Sequence, residues 1–128
     1  MTEKFEIYKC EICGNIIQIL QSGAGQPVCC GEEMKLEKIQ QKQDELGEKH
    51  IPIFSEEDGN KFVSVPYHPM IEEHYIQFIE VFSKDKDELH LKFFKPSDFP
   101  KFETTHFPHL SEAVEYCNIH RLWGNDNG

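Results

Sequence analysis

The chain has 128 residues, a formal net charge of -10 at pH 7, and 38% hydrophobic residues. This balance is typical of a soluble globular protein of one or two small domains, and it argues against nucleic acid or an anionic membrane as a partner. No stretch is apolar enough to span a bilayer, and nothing at the N-terminus resembles a signal peptide, so we expect a cytoplasmic protein. In that compartment the five cysteines favour metal ligation over disulfides.

Residues 1–37 are predicted to form a small module held together by a metal. A Cys-x-x-Cys pair is followed, after a spacer that begins with a short strand and contains glycine and proline, by two adjacent cysteines. These four residues are Cys10, Cys13, Cys29 and Cys30. Gly14 permits the tight backbone path that a metal-binding turn needs. So short a segment buries little core, so ligation would supply much of its stability.

The adjacent pair departs from the usual second Cys-x-x-Cys of a zinc ribbon. Neighbouring residues of an extended chain point to opposite sides, so the backbone must bend at Cys29 and Cys30 for both sulfurs to reach one ion. Four sulfurs suit iron or zinc. A zinc ribbon and a pair of disulfides therefore stay open as alternatives at this point.

Residues 38–47 are predicted to be a polar linker, with a short amphipathic helix as the alternative. The second domain, residues 48–128, is predicted to begin with a strand start over 48–54. The turn at 57–60 contains Asp58 and Gly59, and strands are expected over 61–65, 75–82, 88–94 and 102–107. The segment 111–116 fits a strand or a helical turn. Short strands at regular spacing predict an antiparallel sandwich of about seven strands.

The hairpin brings His50 opposite His68, and the loop that follows returns His74 to the same rim. Near the end of the chain, Cys117 and His120 are separated by two residues, so both can reach one ion from a single turn. Together these residues supply four imidazoles and one thiolate. Zinc prefers four tetrahedral ligands, whereas four nitrogens in a plane with one axial sulfur and an open sixth position fit iron.

The other three histidines are expected to be surface residues. They are His90, His106 and His109.

Five motifs then occur in a fixed order along nearly the whole chain. They are Cys-x-x-Cys-Gly-Asn, Cys-Cys-Gly-Glu-x-Met, Glu-Lys-His-x-Pro, His-Pro-Met-x-x-x-His and Cys-Asn-x-His. By this joint pattern the chain resembles the desulfoferrodoxin family, the two-iron superoxide reductases.

The resemblance implies a desulforedoxin-like N-terminal domain and an immunoglobulin-like β-sandwich, each with one iron. The first iron would be held by Cys10, Cys13, Cys29 and Cys30. The second, catalytic iron would be held by His50, His68, His74 and His120 in the plane and Cys117 on the axis. The implied activity is one-electron reduction of superoxide to hydrogen peroxide in the cytoplasm, with a rubredoxin-like electron donor and a homodimeric assembly. The four-thiolate site suits electron transfer because it has no open position.

Two charged residues precede the first histidine ligand. We predict that Lys49 attracts superoxide locally and orders the water that delivers protons. By the resemblance, Glu48 would close over the vacant position of the oxidised iron. A solvated pair at the end of a linker is the alternative for both.

The chain departs from the family pattern at Arg121, where glycine is common, and at Phe78, where tryptophan is common.

Three other functions fit parts of the pattern. The chain could be a non-catalytic iron electron-transfer protein whose second iron is structural, or a zinc-ribbon adaptor joined to an interaction module. A dismutase would return oxygen together with peroxide, whereas a reductase consumes one external electron for each superoxide.

Overall fold

A computed structural model describes residues 1–41 and 44–125 of the chain. Its contacts divide into two compact units, Met1–Lys38 and Ile39–Gly128. The described residues are mostly β-strand, with one short helix. Lys42 and Gln43, within the predicted linker, lie outside the described residues.

The first unit is built from very short strands. They are β1 (Ile7–Lys9), β2 (Ile16–Gln18), β3 (Val28–Cys29), β4 (Glu32–Glu33) and β5 (Lys35–Glu37). The first, second and fifth form a sheet in the order β2-β1-β5, and β3 and β4 form a separate hairpin. One cluster of buried side chains packs in it: Tyr8, Cys10 and Met34. So small a cluster is typical of a module that relies on ligation.

The second unit contains one helix and seven strands. They are α1 (Glu45–His50), β6 (Ile53–Glu57), β7 (Asn60–Ser64), β8 (Ile76–Ser83), β9 (Leu89–Phe93), β10 (Lys101–Glu103), β11 (Leu110–Cys117) and β12 (Arg121–Gly124). The strands pair antiparallel in two sheets, β10-β7-β6 and β12-β11-β8-β9. This arrangement confirms the predicted β-sandwich.

The core of this unit lies between the two sheets. Alternate residues of β8, Ile79 and Val81, pack with Val63 of β7 and Ala113 of β11, and all four are buried. Because successive side chains of a strand point to opposite faces, Ile79 and Val81 lie on the same face of the sheet. Cys117, at the end of β11, belongs to the same cluster.

Two predicted elements are wrong in detail. The strand start predicted over 48–54 is wrong at its beginning, because residues 48–50 end α1 and the strand starts at Ile53. The helix begins after Asp44, whose side chain accepts a hydrogen bond from the N–H of Gly47 at 2.9 Å. This cap outweighs the weak strand pattern there. The strand predicted over 102–107 ends at Glu103, because the chain turns where the Phe107 N–H bonds to Thr104. The ambiguous segment 111–116 is part of β11.

The linker also has more structure than predicted. The backbone of Gln40 forms a parallel bridge with Trp123 of β12, and Glu45 begins the helix. No helix among the described residues has the length and apolar character needed to cross a membrane.

The hairpin turn provides a test of the fold. Asp58 and Gly59 both have positive φ, 51° and 82°, as a two-residue hairpin turn requires. A Cβ at Gly59 would meet no atom within 4 Å, so Gly59→Ala changes only backbone strain. We expect the free energy of unfolding to fall by about 1 kcal/mol. The measurement is urea unfolding followed by the fluorescence of Trp123, the single tryptophan.

Asp58→Asn is the matched control, since asparagine also tolerates left-handed backbone. It should leave the unfolding curve nearly unchanged. Equal curves for wild type and Gly59→Ala would contradict this account of the turn.

Candidate metal centres

The first cysteine turn follows β1. Cys10 and Cys13 flank it, and the N–H of Gly14 donates to the carbonyl of Cys10 at 2.9 Å. Gly14 has φ of +87°, in the left-handed region that glycine reaches without strain. The structure therefore bears out the predicted need for glycine directly after the pair.

The adjacent cysteines lie at the β3–β4 hairpin. Cys29 pairs with Glu32, so Cys30 and Gly31 form a two-residue turn, with φ of +55° and +76°. Two left-handed residues reverse the chain tightly. This reversal places the sulfurs of Cys29 and Cys30 3.9 Å apart and provides the bend that the sequence required.

The four cysteines of this turn and hairpin form one group of potential ligands. The sulfurs of Cys13 and Cys29 are 3.6 Å apart, and the ligand atoms of all four lie within 4.8 Å of one another. Tetrahedral bonds of roughly 2.3 Å put sulfurs roughly 3.8 Å apart, whereas a disulfide brings them to about 2.05 Å. All five cysteines of the chain are free, so the structure favours a metal over the disulfide alternative.

The protonation of these thiols also fits a cation. Hydrogen bonds from the backbone of Cys13 and Ile12 lower the pKa of Cys10 to about 6. Contacts with Cys13 and Cys29 raise the pKa of Cys30 to about 12, because a second thiolate so close is unfavourable. A metal ion removes this conflict by neutralising the sulfurs together.

The second centre is a ring of four imidazoles. Neighbouring ring centroids are 4.7 Å apart for His50 and His68, 4.6 Å for His68 and His74, 5.0 Å for His74 and His120, and 4.8 Å for His120 and His50. The diagonal from His50 to His74 is 6.3 Å. Four similar sides and a longer diagonal describe an approximately square arrangement.

The ring nitrogens of three histidines are buried without a hydrogen-bond partner: His50 Nε2, His74 Nε2 and His120 Nδ1. The other nitrogen of His50, Nδ1, contacts the Leu46 carbonyl at 2.7 Å, and that contact fixes Nδ1 as the donor. Nε2 then carries a free lone pair. Buried polar atoms without partners are costly, and a metal ion at the centre of the ring satisfies all three.

Burial favours the neutral form of three of these imidazoles. It lowers the pKa of His50 and His74, and it lowers that of His68 to about 4. A neutral imidazole is the form that binds metals. His68 donates through Nδ1 to the carbonyl of Pro69, so its Nε2 carries the lone pair.

Cys117 lies against this ring. It is fully buried, and its Sγ is 3.2 Å from His68 Nε2. The donor atoms of Cys117, His50, His74 and His120 all lie within 4.8 Å of one another. His68 adjoins this group through its contact with the sulfur and through the neighbouring imidazoles of His50 and His74. Burial raises the pKa of Cys117, while backbone N–H groups, including that of His120 at 3.3 Å, oppose the rise.

Asn118, between Cys117 and His120, ties two ligand segments together. Its Oδ1 accepts from the N–H of Tyr75 at 2.9 Å, and its Nδ2 donates to the carbonyl of Glu73 at 3.1 Å. These two bonds flank His74. Sequence reasoning assigned no role to this side chain, although it is part of the Cys-Asn-x-His motif.

Trp123 is a second residue that sequence reasoning missed. It is fully buried, stacks on His50 at 4.8 Å, and donates from Nε1 to the carbonyl of His120 at 2.9 Å. Trp123 is the single tryptophan of the chain, and this was the available clue in the sequence.

Glu115 was also missed by sequence reasoning. It is fully buried two residues before Cys117, and burial raises its pKa well above the usual value.

The two departures from the family pattern have different consequences. Arg121 has φ of +70°, so it occupies a left-handed position that costs a residue with a Cβ about 1–2 kcal/mol relative to glycine. Phe78 is buried and stacks on Tyr116 at 5.5 Å, so it serves packing.

Glu48 and Lys49 lie outside the group of close donor atoms. Both are exposed on α1, and they line a surface groove with Tyr67, the residue before His68. Burial is the main cause of the low pKa of His50, and positive charge at Lys49 adds to it.

Of the three histidines expected at the surface, His109 is exposed and pairs with Glu88. His90 differs, because it packs against Phe102 and Phe107 with ring centroids 5.4 Å and 4.9 Å apart.

Comparisons with known proteins agree with these two donor sets. The family model for the desulfoferrodoxin N-terminal domain matches residues 2–36, and that for desulfoferrodoxin matches residues 42–126. A desulfoferrodoxin homolog of Archaeoglobus fulgidus is 46% identical over 125 residues, which cover 96% of this chain and 98% of that protein. Desulforedoxin of Megalodesulfovibrio gigas is 47% identical over 34 residues, 27% of this chain and 92% of that protein.

A solved structure supports the fold. The superoxide reductase from Treponema pallidum superposes with a TM-score of 0.70 at 24% identity, covering 98% of this chain and 99% of that one. The expected fold is thereby confirmed: a desulforedoxin-like domain and a β-sandwich of the immunoglobulin-like kind. The donor sets fit two iron sites, one of four thiolates and one of imidazoles with one thiolate. The chain belongs to the desulfoferrodoxin family.

Proposed function

We propose that this protein is a superoxide reductase, which reduces superoxide to hydrogen peroxide with one external electron and two protons. The observation that carries the proposal is the square of imidazoles with the buried Sγ of Cys117 against it. Such a set leaves one coordination position open when it binds iron. The name of the solved relative from Treponema pallidum agrees with this activity.

The proposed ligands of the catalytic iron are His50, His68, His74, His120 and Cys117, and those of the other iron are Cys10, Cys13, Cys29 and Cys30. An iron bound at the catalytic site would supply the electron, and the thiolate of Cys117 would raise its electron density. The protein holds four imidazoles close together, with Nδ1 of His50 and of His68 directed at the carbonyls of Leu46 and Pro69, and it keeps the sulfur of Cys117 away from water. A buried sulfur is thereby protected from exchange and oxidation.

We assign the approach of substrate to Lys49. Superoxide is an anion, and the chain carries a net charge of -10, so the average field repels it. Salt screens charges beyond ~8 Å, so a cation close to the entrance dominates capture. Lys49 is exposed beside His50 and lines the groove at Tyr67. In this proposal Lys49 would also order the proton-donating water, and Glu48 would cover the metal site after oxidation.

The N-terminal centre fits a different task. Cys13 and Cys30 are exposed, and a four-thiolate site has no open position, so we propose one-electron exchange there. A rubredoxin-like protein is the proposed electron donor. We further propose a homodimer in the cytoplasm, with the domain limits 1–37, 38–47 and 48–128.

The first test combines metal analysis with superoxide kinetics. Protein expressed without added metals should hold about two iron ions per chain, and pulse radiolysis should show superoxide consumption with no release of oxygen. His74→Ala should lose the second iron and this activity, because it removes one of the four imidazoles proposed as iron ligands. His109→Ala, which changes an exposed histidine, is the control and should keep both.

Each rival function has its own outcome in this experiment. Zinc in place of iron would indicate the adaptor, oxygen release would indicate a dismutase, and iron without superoxide consumption would indicate an electron-transfer protein. Any of these results would overturn the proposed function.

The second test concerns Lys49. Lys49→Ala should slow the second-order reaction with superoxide several-fold at unchanged iron content, because the local attraction is lost. Lys84→Ala is the matched control. It removes the same charge, but Lys84 follows the end of β8 opposite to Ile76, the residue that pairs with Cys117.

The rates are measured by pulse radiolysis at low and physiological ionic strength. A slower rate only for Lys49→Ala, with a weaker salt dependence, supports the assignment. Equal rates for the two variants would remove Lys49 from the mechanism.

A further inference from the structure

A glutamine outside all of the sequence motifs contacts the turn that carries two proposed iron ligands. Gln40 precedes α1, and its Nε2 donates to the carbonyl of His120 at 2.7 Å and to that of Leu122 at 3.2 Å. These two carbonyls belong to the residues on either side of Arg121. The side-chain amide therefore spans Arg121, the left-handed residue of the turn.

The backbone fixes Gln40 in this place. Its N–H donates to the carbonyl of Leu122 at 3.0 Å, and its carbonyl accepts from the N–H of Gly124 at 3.1 Å. A Cβ on Gly124 would lie 2.6 Å from Cγ2 of Ile39, so only glycine allows so close an approach. The segment thus lies along the edge of β12, and the side-chain amide is directed by this pairing.

The carbonyl of His120 also links this turn to His50, through Trp123. The carbonyl of His120 accepts from Gln40 and from Trp123 Nε1, and the indole of Trp123 stacks on His50. Arg121 pairs with Cys117 across the β11–β12 hairpin. A shift at Arg121 would therefore displace His120 and Cys117 together, and it would loosen the support of His50.

We propose that Gln40 is a positioning residue for the proposed catalytic iron, acting as a brace that holds the strained Arg121 turn in the geometry that Cys117 and His120 need. The backbone strain at Arg121 is the reason that this support is needed. A residue with a Cβ is unfavourable at a φ of +70°, so the turn relaxes unless its flanking carbonyls are held. This inference rests on the proposed function only in taking the five-donor site to bind iron.

The test uses full-length, iron-loaded protein and three variants at Gln40 and its neighbour. Gln40→Ala removes the amide. Gln40→Glu keeps its size but replaces the donor by a carboxylate facing two carbonyls. Gln41→Ala is the control, since Gln41 is exposed and its Nε2 contacts the carbonyl of Asn125, at 3.4 Å, and not the carbonyls beside Arg121.

The first readout is the rate at which a ferrous chelator removes iron from the histidine–thiolate site. Mutation of a residue that supports a metal ligand typically lowers metal affinity by about ten- to a hundred-fold. We therefore expect about ten-fold faster iron release for Gln40→Ala and at least as much for Gln40→Glu. Gln41→Ala should match wild type. The four-thiolate iron in the same molecule is an internal control, and its release rate should not change.

The second readout is the thiolate-to-iron absorption band of the oxidised histidine–thiolate site. A change in the position of Cys117 should shift this band in both Gln40 variants. A role limited to fold stability would lower the melting temperature and leave the band and the release rate of folded protein unchanged, and this result would overturn the proposal.

Rescue by glycine gives the sharpest outcome. In the Arg121→Gly background the turn carries no strain, so adding Gln40→Ala should accelerate release by no more than about three-fold. The same ten-fold effect in both backgrounds would overturn the proposal. Failure of the wild-type protein to hold iron at the five-donor site would instead refute the proposed function, so the two failures are distinguishable.

Discussion

The second unit depends on one constraint, the convergence of five donor atoms from separate parts of the chain at a buried point. His50 ends a helix, His68 and His74 lie in the loop between two strands, and Cys117 and His120 flank a hairpin. Three of the ring nitrogens are buried without partners, which is unfavourable in the absence of a cation. The β-sandwich fixes the ends of its strands firmly enough to hold these groups together, and a bound metal then offsets the cost of their burial.

In each metal centre one residue other than glycine has left-handed backbone. At one centre this residue is itself a proposed ligand, and at the other it directly follows one. Cys30 is itself one of the four sulfur donors, and Arg121 follows His120. At Cys30, the following Gly31 shares a two-residue hairpin turn, so the strain is part of a common turn type. At Arg121 no glycine follows, and the support comes from hydrogen bonds to the carbonyls on either side. The two centres thus stabilise similar strain by different means.

The centres also differ in their exposure to solvent, and this difference suits different chemistry. Cys13 and Cys30 are exposed, whereas Cys117 is fully buried. At the first centre the two exposed sulfurs, of Cys13 and Cys30, agree with the electron exchange proposed there. At the second centre the buried sulfur of Cys117 beside the four imidazoles agrees with the proposed reduction of a small molecule. The chain therefore combines two donor sets that fit iron and differ in exposure, and this difference supports the separate roles proposed for them.

The sequence by itself indicated the two cysteine pairs of the first unit, the Cys117–His120 pair and most of the strands, because each of these depends on local pattern. Cys-x-x-Cys spacing, the Asp58–Gly59 turn and the alternation over residues 88–94 act over a few residues, where chain geometry leaves few choices. Tertiary structure alone decided that His50 ends a helix, which ring nitrogen of each histidine is free, and that Gln40 reaches His120 across 80 residues. These features depend on hydrogen bonds between segments that are distant in sequence, and no local period encodes such a contact.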